Sequence, residues 1–133
     1  MLLYNSLSGK KESFAPMRPG KVSLYACGIT TYDYCHIGHA RSAIVFDVLV
    51  RHLRAKGLDV TFVRNFTDVD DKIIDRARRE GQSEQAVAER FMAAFHDDMD
   101  ALGVARPDVE PKATEHIDGM IELINSLIRK NHA

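Results

Sequence analysis

Two histidines three positions apart, His36 and His39, with Gly38 between them, are the residues of this chain best suited to chemistry. Imidazoles there can donate hydrogen bonds to a phosphoryl oxygen as it gains charge in a transition state. The glycine lets a flat ligand or a backbone approach without a Cβ in the way. Upstream, Cys27 offers a thiol whose ionised form is a soft zinc ligand. A His-x-x-His pair on its own arises often by chance, so its meaning depends on the elements that hold it. Neither GxxxxGK[ST] nor GxGxxG occurs, so a phosphate site here would not be a Walker or dinucleotide loop.

The flanking elements favour a ligand site. Val22 to Ala26 reads as a strand that ends near Cys27. Gly28 to Cys35 is a loop of small and polar residues. A long helix follows, from Gly38 to Lys56, with a polar stripe of Asp47, Arg51 and Arg54. Its other residues are apolar almost all round, which implies burial against a sheet and a second layer. Gly57 closes it, and Leu58 to Phe66 alternates as a second strand. Strand, helix and strand form a βαβ unit with parallel strands. Its carboxyl-end crevice is where ligands bind, and a helix N-terminus there attracts anions.

Beyond Phe66 the pattern is helical. Asp70 to Glu80 is a short helix ended by Gly81. Ser83 caps a helix from Glu84 to Leu102, with Val87, Phe91, Phe95 and Met99 on its buried face. Val104 to Ala113 is a loop, and Thr114 caps a last amphipathic helix whose face is Ile117, Met120, Ile121, Ile124 and Ile128. At the other end, Leu2 to Asn5 reads as a short strand and Lys10-Lys11-Glu12 as a solvated turn. The sheet thus has two strong strands, three if the N-terminal one joins it. That is few for an open parallel sheet and points to part of a larger domain.

The chain has 133 residues, 45% hydrophobic, with 18 basic and 19 acidic side chains. That is one ordinary domain, and its balanced charge argues against a broadly basic nucleic-acid-coating protein. No apolar run approaches the roughly 20 residues of a membrane span, and the N-terminus lacks a secretory pattern. The cytosol is therefore expected, with both cysteines reduced. Cys35 reads as a small buried hydrophobe. Asp68, Asp70 and Asp71 read as acids complementing a helix dipole rather than as metal ligands. Arg76, Arg78 and Arg79 read as a solvated helix face, with nucleic-acid contact as the sharper alternative.

His36-Ile37-Gly38-His39 matches the His-Ile-Gly-His signature of class I aminoacyl-tRNA synthetases. Cys27-Gly28-Ile29-Thr30, Asn65 to Lys72, Arg106-Pro107 and Glu110 to Thr114 make the chain resemble the cysteine-specific family of that class. Thr31 and Phe66 depart from the family pattern, where Val and Ile are expected. The resemblance implies an α/β fold: part of a Rossmann-like class I synthetase catalytic domain, a parallel βαβ core followed by a mainly helical segment. Residues 1–133 would form the N-terminal part of one catalytic domain, with 1–66 as the nucleotide-binding half and 67–133 as the helical segment. It implies ATP-dependent activation of cysteine, with Mg²⁺ accompanying ATP, then transfer to tRNA(Cys) by a monomeric parent enzyme. His36 and His39 would be catalytic, and His36, Gly38, His39 and Thr30 would bind ATP. Cys27, Gly28 and Thr67 would line the amino-acid pocket, with Thr30 beside them, and Cys27 would be one ligand of a Zn²⁺ that holds the substrate thiolate. The other zinc ligands and the Lys-Met-Ser-Lys-Ser loop are missing, so this piece alone is expected to be inactive. Two rival readings are a related cysteine ligase acting on an amino-sugar and a non-catalytic nucleotide- or zinc-binding module.

Overall fold

The computed structural model describes residues 1–133. Its elements in chain order are β1 (Leu2–Asn5), β2 (Lys10–Ser13), β3 (Lys21–Ala26), α1 (Ile37–Ala55), β4 (Asp59–Arg64), α2 (Asp71–Glu80), α3 (Glu84–Ala101) and α4 (Ile117–Arg129). A 3₁₀ turn over Ala113–His116 leads into α4. β3 and β4 pair in parallel, Val22 opposite Val60 and Ala26 opposite Arg64, and α1 is the crossover between them. Period-two alternation buries Val22, Ala26, Val60 and Phe62 on one face, where Val50 and Leu53 of α1 cover them. The opposite face, with Ser23, Tyr25 and Thr61, is open.

A second core is built by the helices. Ile73 and Ala77 of α2 meet Val87, Phe91, Phe95 and Met99 of α3, and Phe66 and Ala43 join them. Asp70 caps α2 by accepting from Lys72 N–H, and Ser83 caps α3 by accepting from Ala86 N–H. Gly81 ends α2 in a left-handed conformation, φ +64°, as its position after the last helical residue requires.

Three local expectations are overturned, and the loop expected over Val104 to Ala113 is a loop with added pairing. Lys10-Lys11-Glu12 is not a turn but the body of β2, because Tyr4 and Asn5 pair with it in an antiparallel hairpin. That hairpin stands as its own two-stranded sheet, so β1 adds nothing to the parallel sheet. The loop after Gly103 runs along β4: Val109 bridges Val63 and Lys112 bridges Phe66, both in parallel. Prolines interrupt its ladder and leave it short of a strand. Thr114 lies inside the 3₁₀ turn and does not cap α4. Its hydroxyl and N–H both bond to Asp68, which is buried and ties the two segments together.

The polar stripe of α1 faces protein. Asp47 bonds Arg51 and accepts from Ala105 N–H, Arg51 reaches Gly103 O, and Arg54 forks onto Asp108. The segment after α3 is polar where it meets α1, so Asp47 is buried there while Arg51 and Arg54 stay exposed and reach across to it, and Ile44, Val45 and Val48 are 40–59% exposed.

Candidate functional site

The loop between β3 and α1 is fixed by β4's extension. Thr31 N–H donates to Thr67 O, Thr67 N–H donates to Ile29 O, and Thr30 and Thr67 form a parallel bridge. Thr31 is fully buried and its hydroxyl reaches Thr67 O at 3.3 Å. A Val there would lack that bond, so the departure at this position supplies a tie. Asn65 is the hub: its Oδ1 accepts from Gly28 N–H (2.9 Å) and from Tyr25 O–H (2.7 Å). Its Nδ2 donates to Thr67 Oγ1 at 3.4 Å. Gly28 crosses so close to Asn65 that a Cβ would run into the Asn65 carbonyl.

His36 is the N-cap residue of α1. Its Nδ1 accepts from Gly38 N–H at 3.0 Å, and its own N–H donates to Nδ1 of His39 at 3.2 Å. The two rings stack, centroids 4.0 Å apart. A ring nitrogen that accepts carries no proton, so each neutral imidazole keeps its proton on Nε2. The cap thereby sets both tautomers and leaves two Nε2–H donors at the start of a helix. Gly38 has a further role here: a Cβ would lie 2.8 Å from His36 Cε1, in the space the ring occupies. α1 has no acid in its first turn, whereas α2, α3 and α4 have Asp71, Glu84 and Asp118. Its positive dipole end is left uncompensated.

Cys27, Gly28 and His39 line one small cleft of about 60 Å³, together with Ser42, Phe46 and Arg64. Thr30, Thr67, His36 and Gly38 do not line it; Thr30 and Thr67 are tied to each other by their parallel bridge. Cys27 is exposed and Cys35 half-buried, and both are free thiols. No three His, Cys, Asp or Glu side chains converge to hold a metal ion. Cys27 therefore fits zinc as one thiolate donor, and a closed four-ligand site would need donors from elsewhere.

Arg64 was not expected to matter, yet it is 5% exposed and its Nη2 has no partner. Burial pushes its pKa down, and the charges of Glu110 and Asp47 push it back up. Cys35 packs against the core, half-buried, but it is hydrogen-bonded and not purely apolar. It donates to Asp98 at 3.1 Å, and burial, then this bond and the Asp98 charge, raise its pKa to about 11. Asp70 and Asp71 sit at the start of α2, as a dipole role requires, while Asp68 instead clamps Thr114. Arg76 turns inward from the expected solvated face, paired with Glu80 and Asp33 and lying over the Phe91 ring. Arg78 remains exposed.

Two consequences are measurable. Burial, then the nearby His36 charge, lowers the His39 pKa. The unfolded chain then binds the proton more readily, so this contribution to stability is fully present above about pH 6.5 and is lost as pH falls through the folded pKa. An NMR titration should place His39 below the ordinary imidazole range, and a value above it contradicts the assignment. With its pKa raised to about 11, on the order of one Cys35 thiol in a thousand should be ionised at pH 8. Brief iodoacetamide treatment followed by peptide mass mapping should therefore label Cys27 first. Equal labelling of both contradicts the raised pKa.

The family model described as "tRNA synthetases class I (C) catalytic domain" matches residues 13–133. The chain belongs to the class I (C) tRNA synthetases. Over all 133 residues it is 64% identical to the cysteine–tRNA ligase of Desulfovibrio desulfuricans and 65% identical to that of Nitratidesulfovibrio vulgaris. It spans 28% of the first and 27% of the second. Two solved structures share the fold. Mycobacterium tuberculosis methionyl-tRNA synthetase, in complex with methionyl-adenylate, superposes with a TM-score of 0.61 at 24% identity, covering 64% of this chain and 17% of that one. The Agrobacterium radiobacter K84 LeuRS–tRNA–LeuAMS ternary complex gives 0.72 at 23% identity, covering 88% and 15%. This class I synthetase chain is thus α/β, a parallel core with a helical segment. No helix is long and apolar enough to cross a membrane.

Proposed function

We propose that this chain supplies the cysteine- and ATP-binding part of a cysteine–tRNA ligase. Residues 1–66 act as the nucleotide-binding half and 67–133 as the helical segment. The observation that carries the reading is the reciprocal cap of His36 and His39, which holds two Nε2–H donors at an uncompensated helix N-terminus. In the activation step the cysteine carboxylate attacks the α-phosphorus of ATP and pyrophosphate leaves. Charge accumulates on the α-phosphoryl oxygens, where His36 and His39 donate hydrogen bonds. Gly38 leaves room for the ribose or adenine, and Thr30 borders the ATP. Gly28 and Thr67 shape the amino-acid pocket, and Cys27 opens into the same cleft as His39.

In the longer enzyme Cys27 would be one ligand of a zinc ion. Such an ion, when bound, favours a substrate thiolate over a serine hydroxyl. ATP would enter with Mg²⁺, and tRNA(Cys) would take the cysteinyl group in a monomeric cytoplasmic enzyme. Replacing the corresponding first segment of the Desulfovibrio desulfuricans ligase with this chain gives a direct test. The hybrid should catalyse cysteine-dependent ATP–pyrophosphate exchange and give none with serine. A folded hybrid without exchange overturns the reading. The isolated chain should show no exchange.

A further inference from the structure

We propose that Cys35 and Asp98 are a positioning pair: the Asp98 carboxylate on α3 holds the Cys35 thiol and thereby fixes where His36 starts α1. The proposal rests on the activation role given above to His36 and His39, and adds the residues that hold them in place. The stretch just before His36 has no backbone support. Tyr32 N–H donates to Thr30 O, and backbone pairing resumes only at His36, whose carbonyl accepts from His39 and Ala40. From Asp33 to Cys35 no backbone group bonds to another. The place of such a stretch is set by its side chains.

Those side chains all lead to the helical segment. Lys72 Nζ lies 5.0 Å from the centre of the Tyr32 ring. Arg76 pairs with Asp33 at 3.5 Å. The Tyr34 ring meets Phe91 edge to face, centroids 5.2 Å apart. Cys35 Sγ donates to Asp98 Oδ2 at 3.1 Å. Successive residues are thus tied first to α2 and then to α3. The last tie is the one that reaches the site. Asp33 and Tyr34 are exposed, where an ion pair is worth little. Cys35 is half-buried, packs on the helical core and directly precedes the cap residue of α1. Asp98 follows Phe91 by seven residues and Phe95 by three, so it stands on the face of α3 that the loop meets. Burial, then the bond to Asp98 and its charge, keep the thiol protonated and therefore a donor at neutral pH. Release of this tie frees the head of α1 to shift, and a misplacement of about 1 Å can cost ~10²-fold in rate.

Two measurements test the pair. In the hybrid ligase, Cys35→Ala and Asp98→Ala should each lower kcat for exchange about 10-fold, with the KM for ATP and for cysteine changed less than about two-fold. The double variant should be no slower than the slower single one. Cys35→Ser keeps a donor and Asp98→Asn an acceptor, and each should recover most of the rate. Glu89→Ala, which removes an exposed bond to Gln85 on the same helix, should leave the rate unchanged. In the 133-residue chain, NMR of nitrogen-labelled histidines should find His36 and His39 each in one tautomer, with the proton on Nε2. Cys35→Ala and Asp98→Ala should each mix the two tautomers. Asp98 is exposed, so its substitution leaves the core intact, and circular dichroism checks that each variant is folded. The NMR result needs no activity, so it decides the pair even where an inactive hybrid overturns the function proposed above. Folded variants that keep both tautomers fixed overturn the pairing. So do losses in kcat that simply add in the double variant, which belong to two independent sites. A fall in thermal stability with kcat intact also overturns it, and makes the contact packing alone.

Discussion

Gly28→Ala is expected to destabilise the chain by about 3 kcal/mol or more, against the ordinary ~1 kcal/mol of a point substitution. The added Cβ would run into the carbonyl of Asn65, and backbone cannot swing aside as a side chain can. Relief requires the β3 and β4 extensions to part. That stretches the Gly28 N–H to Asn65 Oδ1 bond and, two residues on, the Thr30–Thr67 bridge. The Tyr25 hydroxyl loses its acceptor in the same movement. Urea unfolding with a tyrosine or far-ultraviolet signal would report a lower midpoint at unchanged slope. A loss below about 1 kcal/mol shows that the two segments can separate freely, and the site would then not be held by this crossing. Ala at Gly119, where nothing lies within 4 Å, is the control and should be neutral or mildly stabilising.

The βαβ unit and the helix faces were legible in the sequence because their burial has a period. Val22, Val60 and Phe62 alternate, and Val87, Phe91, Phe95 and Met99 recur every four residues. What escaped was set by partners distant in sequence. Lys10 to Ser13 is charged and exposed, and becomes a strand only because Leu2 to Asn5 pairs with it. Asp47, Arg51 and Arg54 look like a wet stripe until the segment from Gly103 to Asp108 folds against them. The prolines near 107 and 111 signal a loop, while the pairing of Val109 and Lys112 with β4 has no local signal. The site divides in the same way. His36, Gly38 and His39 announce themselves by type and spacing. Asn65 and Arg64 act through contacts with residues far away in the chain, and nothing beside them in sequence marks those contacts. One clue to Asn65 was available: an amide just beyond a strand, next to the crevice, is well placed to satisfy backbone groups of a neighbouring loop.

His36→Ala in the hybrid ligase is expected to lower cysteine-dependent exchange about 10²–10³-fold, the cost of losing one preorganised donor to a developing oxyanion. Alanine alone cannot prove that role, because His36 also caps α1. Losing a cap costs about 1 kcal/mol and frays the helix start that holds His39. His36→Asn separates the two functions. Asparagine is among the best N-cap residues, so its side-chain oxygen can accept from Gly38 N–H in place of the imidazole Nδ1. Stability should return to within a few tenths of a kcal/mol of the parent. Exchange should stay low, because the Nε2–H donor is absent and the shorter side chain cannot reach as far. The loss should fall on kcat with little change in the ATP KM, since the donor acts on charge that exists only in the transition state. If His36→Asn recovers exchange along with stability, His36 is a cap and nothing more. The donor role would then rest on His39, whose tautomer is set by the backbone N–H of residue 36 and survives the substitution. His39→Asn removes that donor directly, and an exchange rate left intact by both variants contradicts the proposed use of the helix N-terminus.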